Sequence, residues 1–296
     1  MKKYRNFLVG VVLSILFSVF SIYYLNVNEL NFNISQYNFL SEVLDDTSTI
    51  NELAYNIKTD FNYVITDNII YSPESIPIFA YFSVSLKEDE DTNSSWISLK
   101  KFEDQMEYLK NNNYDTLNSR ELYHYIKNGV CEIKSPVVIT FDIGYKNFYE
   151  NVFPILKKYK FKAILFLITA NVDELSNSLT SNEVKEISDY GIDIGIRGNT
   201  NFAMNELTLL DKERVIKSGV FDLEKIVNKK PVGFSFPYGL FDEGSVNLLN
   251  KYNIVSSFTL DKEVTKKGQN LYRIPRMLID DTIDIDSFTS FLRGIY

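Results

Sequence analysis

The sequence predicts an α/β fold, a (β/α) barrel of about seven strands, preceded by one N-terminal transmembrane helix. Three observations predict this architecture. From Ile76 onward, strand-like and helix-like segments alternate along the chain. Several strand-like segments are continuous apolar runs, which is typical of parallel strands that are covered on both faces. Near the N-terminus, an uncharged run is long enough to cross a lipid bilayer.

The N-terminal run covers residues 7–25 and contains 19 uncharged residues. As a helix it would be about 28 Å long, enough to span the hydrocarbon core of a bilayer. Lys2, Lys3 and Arg5 precede it, so the positive-inside rule predicts a cytoplasmic tail at residues 1–6 and an extracellular location for everything after the run. A cleaved signal peptide is the alternative, but no alanine follows the run closely, which favours an uncleaved signal-anchor. We therefore expect a single-pass protein of the cell membrane.

The rest of the chain divides into a weakly patterned stretch and a strongly patterned domain. Residues 26–75 are rich in Asn, Asp and Tyr and are interpreted as a stalk and N-terminal extension, so the barrel domain is predicted at residues 76–296. In barrels of this class, functional residues lie at the carboxyl ends of the strands. The strands are predicted at residues 76–84, 136–142, 162–169, 192–197, 232–238, 254–260 and 272–279.

Helices are expected between and after these strands. Apolar residues at spacings of three and four predict the first helix, with Ser98 as its N-cap. Gly129 and Gly191 are expected to end two of the others, because glycine readily adopts the left-handed conformation of a C-cap. The helices are predicted at residues 98–112, 119–128, 148–159, 182–190, 205–228, 243–252 and 285–294.

Composition excludes several classes of function. The net charge of −8 and the pI near 4.9 argue against a nucleic-acid-binding protein, which needs a basic face. The single cysteine, Cys131, excludes an internal disulfide and a zinc site built from several thiolates. The single histidine, His124, excludes any mononuclear metal site that needs two histidines. His124 lies in a predicted helix away from the strand ends, so we interpret it as an ordinary helix residue.

Four segments carry a resemblance to a known family. They are PVVITFDIGYKNFYENVFPILKKYKFKAILFLIT (136–169), GIDIGIRGNTNFAMNEL (191–207), GFSFPYGLFD (233–242) and LYRIPRMLI (271–279). They resemble the motif regions of polysaccharide deacetylases, the carbohydrate esterases with NodB homology. The pattern is most similar to that of the poly-N-acetylglucosamine N-deacetylases, which include the intercellular adhesin biosynthesis deacetylase. The resemblance covers about residues 76–296 and implies a distorted seven-stranded NodB-like barrel.

The resemblance also implies a metal-dependent chemistry. The family uses a divalent metal, usually zinc, held by one aspartate and two histidines, which polarises the acetyl carbonyl and supplies hydroxide. A second aspartate is the general base, and a histidine is the acid. Carried over by position, the base is Asp142, but the metal aspartate is Ile143. The two metal histidines fall on Arg197 and Asn201, and the acid histidine falls on Phe82.

These substitutions remove every metal ligand that the resemblance implies. Ile143 has no ligand atom, and the guanidinium of Arg197 repels a cation. We therefore predict that no metal cofactor is bound. The third motif keeps Pro237, Tyr238 and Gly239, so the backbone N–H that holds the oxyanion in the family is retained.

The remaining candidates have two interpretations each. Asp142 is a vestigial base position, and we expect it to pair with Arg197, whose guanidinium would take the place of the lost cation. Tyr145 and Tyr238 either line a sugar groove or pack at the barrel rim. Arg276 either faces the groove or pairs with a nearby carboxylate. The predicted substrate-binding residues are Tyr145, Arg197, Asn201, Pro237 and Tyr238.

Two functions follow, in different classes. The first is a membrane-anchored extracellular pseudoenzyme that binds a cell-surface polysaccharide, with poly-N-acetylglucosamine as one candidate. The second is a working polysaccharide N-deacetylase with a rearranged site, in which the retained TFD and PYG segments still act. Clustering of Asp142, Arg197, Asn201 and Tyr238 in one cleft would support the motif alignment on which both depend.

Overall fold

The protein was studied as a computed structural model, which describes residues 70–86 and 95–295. The strands are β1 (Ile78–Tyr81), β2 (Ser83–Ser85), β3 (Trp96–Ser98), β4 (Asp115–Thr116), β5 (Pro136–Ile143), β6 (Ile164–Leu167), β7 (Asp193–Ile196), β8 (Phe234–Ser235), β9 (Ser257–Phe258) and β10 (Met277–Leu278). The helices are α1 (Leu99–Asn111), α2 (Ser119–Asn128), α3 (Phe153–Tyr159), α4 (Ser181–Tyr190), α5 (Leu209–Val227), α6 (Glu243–Lys251) and α7 (Ile285–Leu292).

The strands form a curled parallel sheet of the (β/α)-barrel type. Its order is β10-β1-β5-β6-β7-β8-β9, with β4 added at the side of β5. An isolated parallel bridge joins Phe258 of β9 to Ile274, just before β10, and so connects the two ends of the strand order. Helices alternate with the strands along the chain, as the sequence pattern predicts.

The two faces of the central strand β5 have different surroundings. Every residue of β5 is buried, as expected for a strand covered on both sides. Ile139 and Phe141 belong to the large core cluster, which also includes apolar residues of α1 and of α3 to α7. Val138 belongs to a second cluster that fills the inside of the curled sheet. Because side chains alternate along a strand, Thr140 and Asp142 share the inner face with Val138.

The inner cluster closes the amino-terminal end of the sheet. It contains Val138 and Phe166 together with apolar residues of α2. Gly195 leaves room for the Phe166 ring, since a Cβ at that position would lie 2.5 Å from a ring carbon. The interior is therefore apolar on this side, and polar side chains of β5 are confined to its carboxyl-terminal end.

The structure changes the predicted bounds of several elements, and two of the changes have a clear local cause. The strand predicted at residues 76–84 is interrupted at Phe82, because β2 leaves the main sheet and pairs with β3. The helix predicted at residues 205–228 begins at Leu209, where the side chain of Thr208 accepts a hydrogen bond from the N–H of Asp211.

The predicted helix caps are confirmed for the glycines and changed for Ser98. Gly129 and Gly191 end α2 and α4 in the left-handed conformation, with φ of 79° and 114°. Ser98 occupies the N-cap position of α1, but its side chain makes no capping hydrogen bond. Its N–H instead donates to the carboxylate of Asp281, at 2.9 Å. This end of α1 is thus fixed by a long-range contact rather than by a local cap.

The N-terminal predictions concern residues that lie outside the described part of the chain. These are the cytoplasmic tail at residues 1–6, the signal-anchor at 7–25 and nearly all of the stalk at 26–75. Residues 70–75 are described, and Tyr71 forms an antiparallel bridge with Cys131. Within residues 70–86 and 95–295, no helix meets the length and hydropathy that a membrane crossing requires.

Candidate functional site

A buried cluster of polar residues lies at the carboxyl-terminal end of the curled sheet. Asp142 is the penultimate residue of β5, and Ser235 is the last residue of β8. Arg197 directly follows β7, and Arg276 directly precedes β10. Each is at most 1% exposed. Side-chain alternation points Ser235 inward, because its neighbours on the strand belong to the outer core cluster. Four separate strands thus bring two cations and one carboxylate together.

Arg276 is fully engaged by this cluster. Its Nη1 donates to Asp142 Oδ1 at 2.8 Å and its Nη2 to Asp142 Oδ2 at 3.0 Å, which is a bidentate ion pair. The remaining donors reach Thr140 Oγ1 at 3.0 Å, Ser235 Oγ at 2.8 Å and the carbonyl of Thr259 at 3.1 Å. All five guanidinium N–H groups therefore have an acceptor. Of the two interpretations of Arg276, the structure supports pairing with a carboxylate.

Arg197 pairs with the same carboxylate from the other side. Its Nη1 lies 2.5 Å from Asp142 Oδ2, so the predicted pairing of these residues is confirmed. The same nitrogen donates to Ser235 Oγ at 3.1 Å, and Nε donates to Asn201 Oδ1 at 3.0 Å. No residue in the described part of the chain accepts a hydrogen bond from its Nη2. Arg197 thus uses fewer of its donors than Arg276.

The cluster carries an excess positive charge. Burial alone would raise the pKa of Asp142, but the charges of Arg276 and Arg197 and a hydrogen bond from Ser235 outweigh it and lower the pKa. Burial lowers the pKa of Arg197, while Asp142 raises it; a guanidinium nevertheless stays protonated in proteins. One carboxylate therefore faces two guanidinium groups, and the net charge is one positive unit.

The rim connects this cluster to the surface. Asn201 accepts from Arg197 and donates from Nδ2 to the hydroxyl of Tyr238 at 3.3 Å. Tyr238 is 58% exposed, and the phenols of Tyr238 and Tyr145 lie within electrostatic range of Arg197. The half-buried ring of Phe82 faces the guanidinium at 5.2 Å, a cation–π contact. Asp142, Arg197, Asn201 and Tyr238 thus form one chain of contacts that runs from the buried cluster to the surface, and this supports the motif alignment.

Two rim residues have unusual backbone conformations. Ile143 has φ of +79° and Tyr238 has φ of +58°, both in the left-handed region. For a β-branched residue this conformation costs roughly 1–2 kcal/mol. Aspartate and asparagine tolerate it better, because their short polar side chains form local hydrogen bonds. The backbone at Ile143 therefore suits the aspartate that the resemblance places there more than it suits isoleucine.

The side chains at this site do not fit a zinc ion. Asp142 is a single carboxylate whose two oxygens already accept four hydrogen bonds, three of them from guanidinium groups. Ile143 offers no ligand atom, and the amide oxygen of Asn201 is used by Arg197. Among residues 70–86 and 95–295, no group of three or more His, Cys, Asp or Glu side chains could hold a metal. His124 contacts Asn128 within α2.

Sequence reasoning missed three residues of the cluster. Thr140, Ser235 and the carbonyl of Thr259 hold Arg276 in place, yet none belongs to a motif position that the family uses for chemistry. A signal was available for two of them. Thr140 is two residues before Asp142, and Ser235 is the one polar residue within the apolar GFSFP run, so strand alternation puts both on the inner face.

Both the sequence and the fold are similar to those of known proteins. A family model described as polysaccharide deacetylase matches residues 129–256. The poly-beta-1,6-N-acetyl-D-glucosamine N-deacetylase of Staphylococcus aureus (strain MRSA252) is 30% identical over 218 residues, which cover 69% of this chain and 73% of that protein.

Two solved structures share the fold. The Streptococcus pyogenes deacetylase PplD, in complex with acetate, has a TM-score of 0.69 and 21% identity, covering 74% of this chain and 99% of that chain. IcaB from Ammonifex degensii has a TM-score of 0.65 and 20% identity, covering 75% and 97%. The curled parallel sheet is consistent with the NodB-like barrel that the sequence resemblance implies.

Proposed function

The chain belongs to the polysaccharide deacetylase family, and we propose that it is a glycan-binding member without the catalytic metal. One observation carries the proposal. The carboxylate at the base position, Asp142, is held by two guanidinium groups, and one of them comes from Arg197, where the family has a metal ligand. A carboxylate in two buried ion pairs is a poor base, because its pKa is lowered and its oxygens are occupied.

The ligand proposed for the cleft is a cell-surface polysaccharide. The Staphylococcus aureus relative is named for its action on poly-beta-1,6-N-acetyl-D-glucosamine, so this polymer is a first candidate. The rim supports glycan binding, since Tyr238 presents an exposed ring whose hydroxyl accepts from the amide of Asn201, and Tyr145 is half-buried. Aromatic faces and polar side chains are the usual means of holding a sugar ring in a groove.

The proposed location is the outer face of the cell membrane. The proposal rests on the sequence pattern of residues 7–25 and the basic residues before them. A protein anchored there, with its barrel outside, would meet exopolysaccharide or cell-envelope glycan as that polymer leaves the cell.

The test measures metal content and acetate release on the same sample. Purified full-length protein is loaded with zinc, freed of excess metal and assayed by elemental analysis, and acetate release is followed on oligomers of N-acetylglucosamine. We expect far less than one equivalent of zinc and no release of acetate above the buffer, together with measurable binding of the oligomers. Zinc near one equivalent with acetate release would instead establish the alternative function, an active N-deacetylase with a rearranged site.

A matched variant shows whether the substituted side chains are responsible. The variant carries Ile143→Asp, Arg197→His and Asn201→His, which restores the ligand set implied by the resemblance. The left-handed backbone at Ile143 suits the first change. We expect the variant to hold zinc where the parent does not, since three suitable ligands bind this ion tightly. Equal zinc contents in parent and variant would contradict the proposal.

A further inference from the structure

The charge of the buried cluster is unbalanced. Asp142 is the one carboxylate that forms an ion pair with Arg197 or Arg276 within the described residues. Both side chains are buried, with at most 1% of either exposed, so water screens the excess positive charge poorly. Nη2 of Arg197 is not among the fully buried atoms that lack a partner, so the exposed fraction of that side chain includes this nitrogen. A buried charge without a partner is costly, and a bound anion would remove that cost.

The unused hydrogen-bonding groups lie at the same end of the sheet. Arg276 has an acceptor for every donor, whereas Nη2 of Arg197 has none among residues 70–86 and 95–295. Five buried side-chain polar atoms in the described part of the chain have no hydrogen-bond partner. Four of them are on the loops that follow β5, β6 and β7, in Asn147, Ser178, Asn199 and Thr200.

The spare donors of Arg197 select the class of ligand, whereas the unpaired amide oxygens of Asn147 and Asn199 are acceptors and do not. A guanidinium with free N–H groups is suited to a carboxylate, which accepts two parallel hydrogen bonds in its plane. One carboxylate would also bring the charge of the cluster from one positive unit to zero. The ammonium group of a deacetylated glucosamine would be repelled by the same charge.

Accepting that the cleft binds a glycan, we infer that it selects an acidic one and that Arg197 binds the carboxylate of a uronic acid or of a carboxyl-bearing substituent. The guanidinium pairs with the carboxylate through Nη2, from a sequence position at which the resemblance implies a metal ligand. Asn201 links this contact to Tyr238 at the rim, so a sugar ring at Tyr238 would extend its acidic group inward.

The test compares ligands that differ in one charge. Isothermal titration calorimetry is performed on the full-length protein with a hexamer of alternating glucuronate and N-acetylglucosamine, and with the same hexamer after methyl esterification of its carboxyl groups. Hexamers of N-acetylglucosamine and of glucosamine, and a glycerol phosphate oligomer, complete the set. We expect the acid to bind about tenfold or more tightly than the ester, the effect of one charge-assisted hydrogen bond, and glucosamine to bind most weakly.

Two variants locate the effect. Arg197→Met leaves Asp142 in its bidentate pair with Arg276, so the protein is expected to fold, and the preference for acid over ester should fall below about twofold. Arg214→Met is the matched control, because Arg214 is on the exposed face of α5 and its side chain is 66% exposed. The control should keep the full preference.

The outcomes separate this inference from the proposed function. Equal binding of acid and ester overturns the inference, and so does an acid preference that persists in Arg197→Met or a stronger response to glycerol phosphate. Each of these leaves glycan binding itself intact if the N-acetylglucosamine hexamer binds. Should Arg197→Met fail to fold, the comparison of acid with ester on the unaltered protein decides the question.

Discussion

The two sides of Asp142 hold the same carboxylate in different ways. On the side of β10, Arg276 forms a bidentate pair and satisfies three further acceptors. On the side of β7, Arg197 makes a single contact with the carboxylate and leaves Nη2 without an acceptor in the described part of the chain. Burial and charge are the same for both arginines, so they do not separate the arginine that only holds the cluster together from the one that we propose binds a ligand. The number of donors already in use does.

The aromatic neighbours of the two arginines also differ, and those of Arg276 are the more deeply buried. The guanidinium of Arg276 lies near the rings of Phe166 and Phe258, at 5.4 and 5.8 Å, and both rings belong to the inner core cluster. The guanidinium of Arg197 faces Phe82, which is half-buried. Arg276 is enclosed by the core, whereas Arg197 borders the partly exposed residues Phe82 and Asn201.

The largest effect is expected from removing the carboxylate that both sides share. Asp142→Asn leaves two buried guanidinium groups without a counter-charge, and we expect the free energy of unfolding to fall by about 3–5 kcal/mol. Urea unfolding followed by circular dichroism measures the change. Asp211→Asn is the control, since Asp211 is in an exposed pair with Arg214 and should cost at most about 1 kcal/mol. A loss for Asp142→Asn as small as that of the control would show that the cluster does not depend on its charge.

The comparison itself is tested by replacing each arginine with methionine. Arg276→Met removes the bidentate pair and leaves Thr140 and the Thr259 carbonyl without a donor, so a loss of about 3 kcal/mol is expected. Arg197→Met neutralises the cluster and keeps the bidentate pair, so the loss should be at most about 1 kcal/mol. Chemical unfolding of both variants in one buffer measures the difference. Equal losses would mean that the two sides are equivalent.

Acid titration sharpens the same comparison. The pKa of Asp142 is lowered from its ordinary value of 3.8, against the effect of burial, by Arg276 first and Arg197 second. A lowered pKa in the folded state stabilises the protein above the ordinary value, and this contribution is lost as the pH falls through the folded-state pKa.

Because Arg276 has the larger influence, the loss of stability should begin at higher pH in Arg276→Met than in Arg197→Met. Urea midpoints measured between neutral and strongly acidic pH give the two profiles. Other carboxylates are common to both variants and cancel in the difference. Superimposable profiles would contradict the ranking of the two arginines.

The smallest effect concerns the backbone at Ile143. In an ordinary strand, alanine is more stable than glycine by roughly 0.5–1 kcal/mol. At φ of +79° the order should reverse, because glycine adopts this conformation without strain. We therefore expect Ile143→Gly to be more stable than Ile143→Ala, and Ile139→Ala to be more stable than Ile139→Gly. Thermal unfolding of the four variants checks this, and the same order at both positions would refute it.

Much of the fold follows from the sequence, because its elements are defined by local patterns. The apolar run at residues 136–142 is the centre of the sheet, and Gly129 and Gly191 end helices where the sequence predicts. The break at Phe82 was not predictable, since it depends on the pairing of β2 with β3, a contact between distant segments. The contact that fixes the start of α1, between the N–H of Ser98 and the carboxylate of Asp281, was not predictable for the same reason.

The site follows from the sequence to a smaller extent. The pairing of Asp142 with Arg197 is predictable because a charge introduced next to a carboxylate must be compensated. A carboxylate partner for Arg276 was one of two predicted interpretations, but its identity as Asp142 was not predictable, because nothing local shows that a residue just before the last strand reaches the end of β5. The spare donor of Arg197 was not predictable either, because it depends on the positions of all the acceptors around the guanidinium in the folded protein.

The left-handed conformation at Ile143 has a consequence for engineering. Because the main chain at Ile143 already has the left-handed conformation that aspartate or asparagine tolerates better, we expect such a side chain to be introduced there without a change in the backbone. The backbone at this residue is strained because isoleucine is β-branched, and we expect its replacement by a short polar side chain to reduce that strain. Position 143 is therefore the first position at which we would introduce a polar side chain beside the buried cluster.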